Sequence, residues 1–236
     1  MPSVLITGAS RGIGAATAHR FAAAGYNLQL LARPSDAFEA LLDDLRLLGH
    51  QPQQQTVDLG DPLAIAPALE VLHARCGCPD VVINNAGMAY TGSLAEMALQ
   101  HWQALLQLNL TAVFQVCQAL LPHLRRQGGG HIINVSSHAA HQAFPDWGAY
   151  CVSKAGLVSL GRCLAAEERC HGIRVSTLTL GAVNTPLWDS DTVDSSFDRR
   201  AMLEPGRAAE ALLYLAQQPA TQVVEDLTLM PAAGAL

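Results

Sequence analysis

Charge is scarce in this chain of 236 residues: 14% are Asp, Glu, Lys or Arg. Basic residues are fewer still, 14 Lys plus Arg against 20 Asp plus Glu, a formal net charge of −6. A weakly charged, mildly acidic chain argues against nucleic acid or anionic lipid as the main partner. No apolar run approaches the roughly 18 residues that a bilayer span requires. The opening MPSVLITGAS has no basic region ahead of its short apolar stretch and does not read as a signal peptide. Repeats, low-complexity tracts and linker-like shifts in composition are also missing. The six cysteines show neither a paired disulfide framework nor zinc spacing, and His138 and His141 lack a third ligand, so no metal is expected. A soluble, cytoplasmic protein with free thiols is the expectation.

What the chain does have is apolar material. Half of its residues are hydrophobic, which excludes intrinsic disorder and supplies one large core. Short β-rich runs at 4–6, 27–32, 54–57, 80–83, 131–135, 174–179 and 226–230 alternate with helical patterns near 12–24, 35–48, 62–75, 98–126, 148–171 and 206–217. Runs such as VLI, VVI and HIINV are apolar without alternation, as strands covered on both faces must be. The expected fold is α/β: a Rossmann-type, doubly wound domain over residues 1–236, with helices on both faces of a parallel sheet. The least regular region, about 185–205, carries Trp188, five acidic residues and three serines, and is expected to form a flap over a ligand site.

The first strand runs into TGASRGIG, with glycines at 8, 12 and 14 ahead of a helix. Gly8 permits a tight turn, Gly12 close approach to phosphate, and Gly14 packing of helix on strand. A pyrophosphate would lie at the helix N-terminus, where free N–H groups favour negative charge. Ser10 and Ile13 belong to the same cofactor-contacting turn. After the second strand stand Ala32 and Arg33, with no carboxylate before Asp36. An acid there would repel a 2′-phosphate, whereas the Arg33 guanidinium holds one, with Arg11 helping from the glycine turn. NADP(H) is the predicted cofactor.

TGASRGIG (7–14), NNAG (84–87), Asn109 within LNLTAVF, INVSS (133–137) and YCVSK (150–154) stand in this order along the chain. This ordered set resembles the short-chain dehydrogenase/reductase family over essentially the entire chain. The resemblance implies a sheet of seven strands and a catalytic set of Ser137, Tyr150 and Lys154 supported by Asn109. It further implies cofactor contacts from Asp58 and Leu59, from Asn85, Ala86 and Gly87, and from Val183 and Thr185, with Tyr150 and Lys154 also touching the cofactor. Leu180 stands where the family usually has proline, and the C-terminal tail also departs from the family pattern. A homodimer or homotetramer is the implied assembly.

The residue chemistry agrees. Carbonyl reduction needs a hydride on carbon and a proton on oxygen. A tyrosine near pKa 10 is a poor proton carrier at neutral pH. Lys154, one helical turn from Tyr150, brings a positive charge that, together with the cationic oxidised nicotinamide, is expected to lower that pKa. Ser137 would donate to the substrate oxygen. The expected activity is NADP(H)-dependent reduction of a small ketone or aldehyde, or the reverse oxidation of an alcohol. A 3-oxoacyl-carrier-protein reductase is an alternative, with Arg125 and Arg126 as its docking patch. A catalytically silent NADP(H) sensor or scaffold is another. Met88, Phe144, Trp147, Leu187 and Trp188 are candidate pocket walls, and His138 a candidate polar selector.

Overall fold

The structure is a computed structural model and describes residues 1–235. Its strands are β1 (Ser3–Thr7), β2 (Asn27–Ala32), β3 (Gln53–Thr56), β4 (Val81–Asn84), β5 (Gly130–Ser137), β6 (Ile173–Leu180) and β7 (Asp226–Leu229). They form a seven-stranded sheet in the order β3-β2-β1-β4-β5-β6-β7, every pair parallel. Hydrophobic strands occupy its centre. The edge strand β3 reads QQQT, exposed at its two ends and half-buried between, a polar edge that does not invite pairing with another chain.

Helices α1 (Gly12–Ala23), α2 (Asp36–Leu47), α3 (Ile65–Cys76), α4 (Leu99–Leu106), α5 (Ala112–Gln127), α6 (Gly148–Glu168) and α7 (Pro205–Ala216) wrap the sheet. Side chains alternate across a strand, so β1 feeds two cores. Val4 and Ile6 pack with Phe21, Phe38 and Leu212 from α1, α2 and α7. Leu5 packs on the opposite face with Leu69, Val116 and Leu157 from α3, α5 and α6. This is the doubly wound arrangement that the strand–helix alternation predicts.

One expectation is corrected on the long helical stretch. It is not one α-helix over 98–126, because residues Gln107–Thr111 form a π-helical segment between α4 and α5. By length and composition, Leu99–Gln127 is also apolar enough to cross a bilayer, with a mean hydropathy of 1.5 over its most apolar stretch. Polar residues are interspersed along it, so it contains no uninterrupted apolar run. In the fold, Val113, Val116, Leu120 and Leu124 of this stretch face the sheet as core.

From β1 the chain proceeds outward to β2 and β3, then returns to β4 and proceeds the other way. The crevice beyond the carboxyl ends of β1 and β4 is therefore the topological switch point, where ligands of such sheets bind.

Candidate active site

Thr7 ends β1, and the glycine turn begins immediately after it. Gly8 has φ +64, a left-handed conformation that penalises any side chain, and a Cβ there would lie 2.8 Å from the Ala86 Cα. The turn is clamped from β4. The Thr7 hydroxyl accepts from the backbone N–H of both Asn85 and Ala86, each at 3.0 Å. The Asn85 amide donates to the carbonyls of Thr7 and Gly8, at 3.0 and 3.2 Å. Asn85 thus staples the turn to the central strand as well as lining the crevice. Gly14 does not line it. A Cβ at Gly14 would collide with the Gly8 carbonyl oxygen and lie 2.8 Å from Asn85 Nδ2. Gly14→Ala is therefore expected to destabilise the protein by about 3 kcal/mol, the upper range for overpacking. Scanning calorimetry should show the melting midpoint fall by roughly 6–12 °C; a loss under about 2 °C would refute the packing role.

A cleft of about 830 Å³ runs from this turn across the switch point. At one end it is lined by Ser10, Arg11, Arg33, Asp58 and Leu59, as the sequence predicts. Arg11 and Arg33 are exposed, and neither guanidinium forms an ion pair or hydrogen bond among the described residues. Asp58 is the lone carboxylate of the lining, and its Oδ1 accepts from the Gly60 backbone at 2.8 Å. Two unpaired guanidinium groups thus stand where an anion would enter.

The other end of the cleft gathers Ser137, Tyr150 and Lys154. Strand β5 delivers Ser137 at its carboxyl end, and α6 presents Tyr150 and Lys154 on one face. Ser137 Oγ accepts from the Ala139 backbone at 3.2 Å, leaving its own hydrogen free to donate into the cleft. Lys154 is only 5% exposed, and its ammonium donates to the Val135 carbonyl at 2.9 Å while lying 5.8 Å from the Tyr150 ring centroid. Burial pushes Lys154 down to about 8.

Tyr150 corrects an expectation. Burial raises its pKa; its interaction with the Ser137 hydroxyl opposes this, and Cys151 adds to the rise. Lys154 is not among the causes of this shift, and a phenol raised from its ordinary value of 10 stays protonated at neutral pH.

Asn109 lies behind the cleft. It is wholly buried on the π-helical segment and does not line the cleft. Its Oδ1 accepts from Met88 N, and its Nδ2 donates to Met88 O and Ser153 Oγ, at 2.9, 2.9 and 3.0 Å. Ser153 in turn donates to the Tyr150 carbonyl at 2.8 Å. Asn109 therefore ties the segment after β4 to the base of the helix that carries Tyr150. The sequence reading missed Thr7 and Ser153. Their signals were slight: a threonine just ahead of the first glycine, and a serine within the YCVSK run.

Residues 185–205 cover the mouth of the cleft. Thr185 caps the short helical turn Pro186–Asp189, and with Val183 lines the cleft. Arg199 braces the segment by donating to Asn184 Oδ1, Asp189 Oδ1 and the Thr185 carbonyl at 2.8, 2.8 and 3.0 Å. Thr192 Oγ1 donates to the Ala89 carbonyl at 2.7 Å, joining this cover to the segment after β4.

A family model for short chain dehydrogenases matches residues 2–195. The chain belongs to this family. It is 32% identical over 226 residues to a D-threitol dehydrogenase of Mycolicibacterium smegmatis, covering 93% of this chain and 87% of that protein. Among solved structures, an alcohol dehydrogenase of the archaeon Thermococcus sibiricus, complexed with 5-hydroxy-NADP, is similar with a TM-score of 0.90 and 29% identity. The alignment covers 100% of this chain and 99% of that one. A single-substitution variant of actinorhodin polyketide ketoreductase with NADPH gives a TM-score of 0.89 at 29% identity, covering 100% of this chain and 98% of that one. Membership makes the protein an oxidoreductase of this family.

Proposed function

We propose that this oxidoreductase uses NADP(H) to reduce the carbonyl of a small ketone or aldehyde to an alcohol, or runs the reverse oxidation. One observation carries the reading: the half-buried Tyr150 phenol stands beside Ser137 and Lys154 at the far end of a cleft that opens on two unpaired arginines. The cleft suits the dinucleotide. The glycine turn and the N-terminus of α1 receive a pyrophosphate, and Arg11 and Arg33 offer charge-assisted bonds to a 2′-phosphate. The NADP-type ligands of the two structural neighbours support this choice. When bound, NADPH supplies the hydride that forms the new C–H bond.

Tyr150 gives its phenolic proton to the carbonyl oxygen as that hydride reaches the carbon. The Ser137 hydroxyl donates to the same oxygen and steadies its developing charge. Lys154, charged below about pH 8, stabilises the phenolate left behind. Asn109 and Ser153 act as positioning residues that hold the helix carrying Tyr150. Residues 185–205 serve as the substrate flap of a single catalytic domain.

The cofactor choice has its own test. Arg33→Asp replaces a phosphate-binding charge with one that repels phosphate. The ratio of kcat/KM for NADPH over NADH is expected to fall about a hundredfold or more, two lost charge-assisted contacts of about 1.5 kcal/mol each. An unchanged ratio would remove Arg33 from the cofactor site.

The carrier-protein alternative is weakened by its docking patch, because Arg125 is engaged by the buried Glu168 carboxylate and Arg126 bonds His123. The silent-sensor alternative predicts NADPH binding without its consumption by any carbonyl. For assembly, Phe114 on α5 and Val152 on α6 are 45% and 47% exposed. These outer helix faces fit a symmetric homodimer or a larger homotetramer.

A further inference from the structure

We propose that the substrate is an uncharged ketone or secondary alcohol carrying an aromatic ring at the reacting carbon. This rests on the carbonyl-reductase reading and names the substrate class of that same site.

The chain has few aromatic residues: 3 Trp, 4 Tyr and 5 Phe. Yet two of the tryptophans and two of the phenylalanines line this cleft beside Tyr150. Three of these four form a continuous chain leading away from the reacting phenol. Trp147 stands edge-on to Tyr150 with ring centroids 5.5 Å apart. Trp188 follows at 5.7 Å from Trp147, and Phe197 at 5.5 Å from Trp188. All are half-buried, so each keeps ring surface toward the cleft. The Trp188 indole N–H donates to the Val183 carbonyl at 2.8 Å, which fixes the ring and leaves only its hydrocarbon surface for a guest. Flat rings arranged edge to face favour a further flat ring over a saturated one of equal size, through their quadrupoles.

The polar complement at this end is small. The charged side chains lining the cleft are Arg11, Arg33 and Asp58 at the opposite end, and Lys154, which is buried. No ion-pairing group therefore stands ready for a substrate carboxylate or phosphate. Apart from Ser137 and Thr185, the polar side chains at this end already have partners within the protein. Ser190 Oγ donates to the Leu187 carbonyl at 2.9 Å, Thr192 Oγ1 to the Ala89 carbonyl at 2.7 Å, and His138 Nε2 meets Gln142 Oε1 at 3.0 Å. A polyhydroxylated substrate would bury hydroxyls against apolar walls without partners, an unfavourable exchange for water. In this respect the cleft differs from what a tetritol requires.

The test compares acetophenone, cyclohexyl methyl ketone and erythrulose as substrates of the purified protein with saturating NADPH. Acetophenone and the cyclohexyl ketone have the same carbon skeleton and differ in aromaticity. The native KM for the cyclohexyl ketone is expected to exceed that for acetophenone by about tenfold. In Trp188→Leu or Trp147→Leu the two KM values should converge; two variants guard against one that fails to fold. Equal native KM values, a KM ratio that survives both substitutions, or a higher kcat/KM for erythrulose would each overturn the aromatic assignment. Consumption of NADPH with the saturated ketone or erythrulose, without the aromatic preference, would leave the reductase reading standing. Failure of all three to oxidise NADPH would overturn that reading, and this inference with it.

Discussion

Replacing Tyr150 by phenylalanine is expected to lower kcat for carbonyl reduction about a thousandfold while leaving NADPH affinity within a few-fold of native. The substitution removes one oxygen and preserves the half-buried ring, so packing against Trp147 survives. What disappears is the proton placed opposite the incoming hydride, and positioned general acids contribute about 10²–10⁴ in rate. Ser137 does not substitute, because a serine hydroxyl is far too weak an acid to release its proton at neutral pH. The pH profile of the native protein supplies a second readout. Lys154 is held down to about 8 by burial, so its positive charge is lost as pH rises through that value. With it goes the stabilisation of the phenolate, and kcat for reduction should decline above about pH 8. Stopped-flow measurement of NADPH oxidation separates the chemical step from binding. Near-native kcat in Tyr150→Phe would mean that the proton comes from another group.

The second large effect concerns stability in acid and lies away from the cleft. His131 sits on β5 and is 1% exposed. Its Nε2 meets Ser176 Oγ at 2.8 Å, and that hydroxyl donates to the Val224 carbonyl at 2.6 Å. The serine hydrogen is therefore already used, so the imidazole carries its own hydrogen on Nε2. Nδ1 is bare, buried and without a partner among the described residues. Protonating it would place a cation in the core near Arg174. Burial first, and the Arg174 charge second, push the pKa from 6.5 down to about 3. The sign follows directly. Between these values the unfolded chain binds a proton that the folded protein refuses, so stability is complete above pH 6.5 and is lost as pH falls toward 3. The full loss is on the order of 5 kcal/mol at about 1.4 kcal/mol per pH unit. His131→Gln keeps a donor for Ser176 and cannot ionise. Urea unfolding at about pH 7 and pH 4 should show the native protein losing about 3 kcal/mol more than the variant. Equal losses would show that His131 is not the group responsible.

Much of the fold could be read before any coordinates. Apolar runs without alternation, such as VLI and VVI, announced strands buried on both faces, and they occupy the centre of the sheet. The glycine turn was legible because Gly8 and Gly14 answer local steric demands that few other residues meet. The Tyr150–Lys154 pair was legible because helical geometry puts residues four apart on one face. An irregularity at Asn109 was legible, but its π-helical form over Gln107–Thr111 was hidden, since these residues satisfy the same apolar periodicity as a continuous helix. Thr7 and Ser153 were hidden for a related reason: their partners, Asn85 and Ala86 in one case and Asn109 in the other, are distant in the chain.

The sequence by itself determined the alternation that winds a parallel sheet, the glycine turn after the first strand, and the helical pairing of Tyr150 with Lys154. Those are properties of neighbouring residues, governed by sterics and periodicity over a few positions. Tertiary structure alone decided the desolvation of Tyr150, the hydrogen-bond partners of Asn109, and the meeting of Trp147 with Trp188 and Phe197 from a segment some forty residues onward. Each depends on which groups exclude water from a site. Desolvation and long-range hydrogen bonding act through space, so no spacing along the chain encodes their sign.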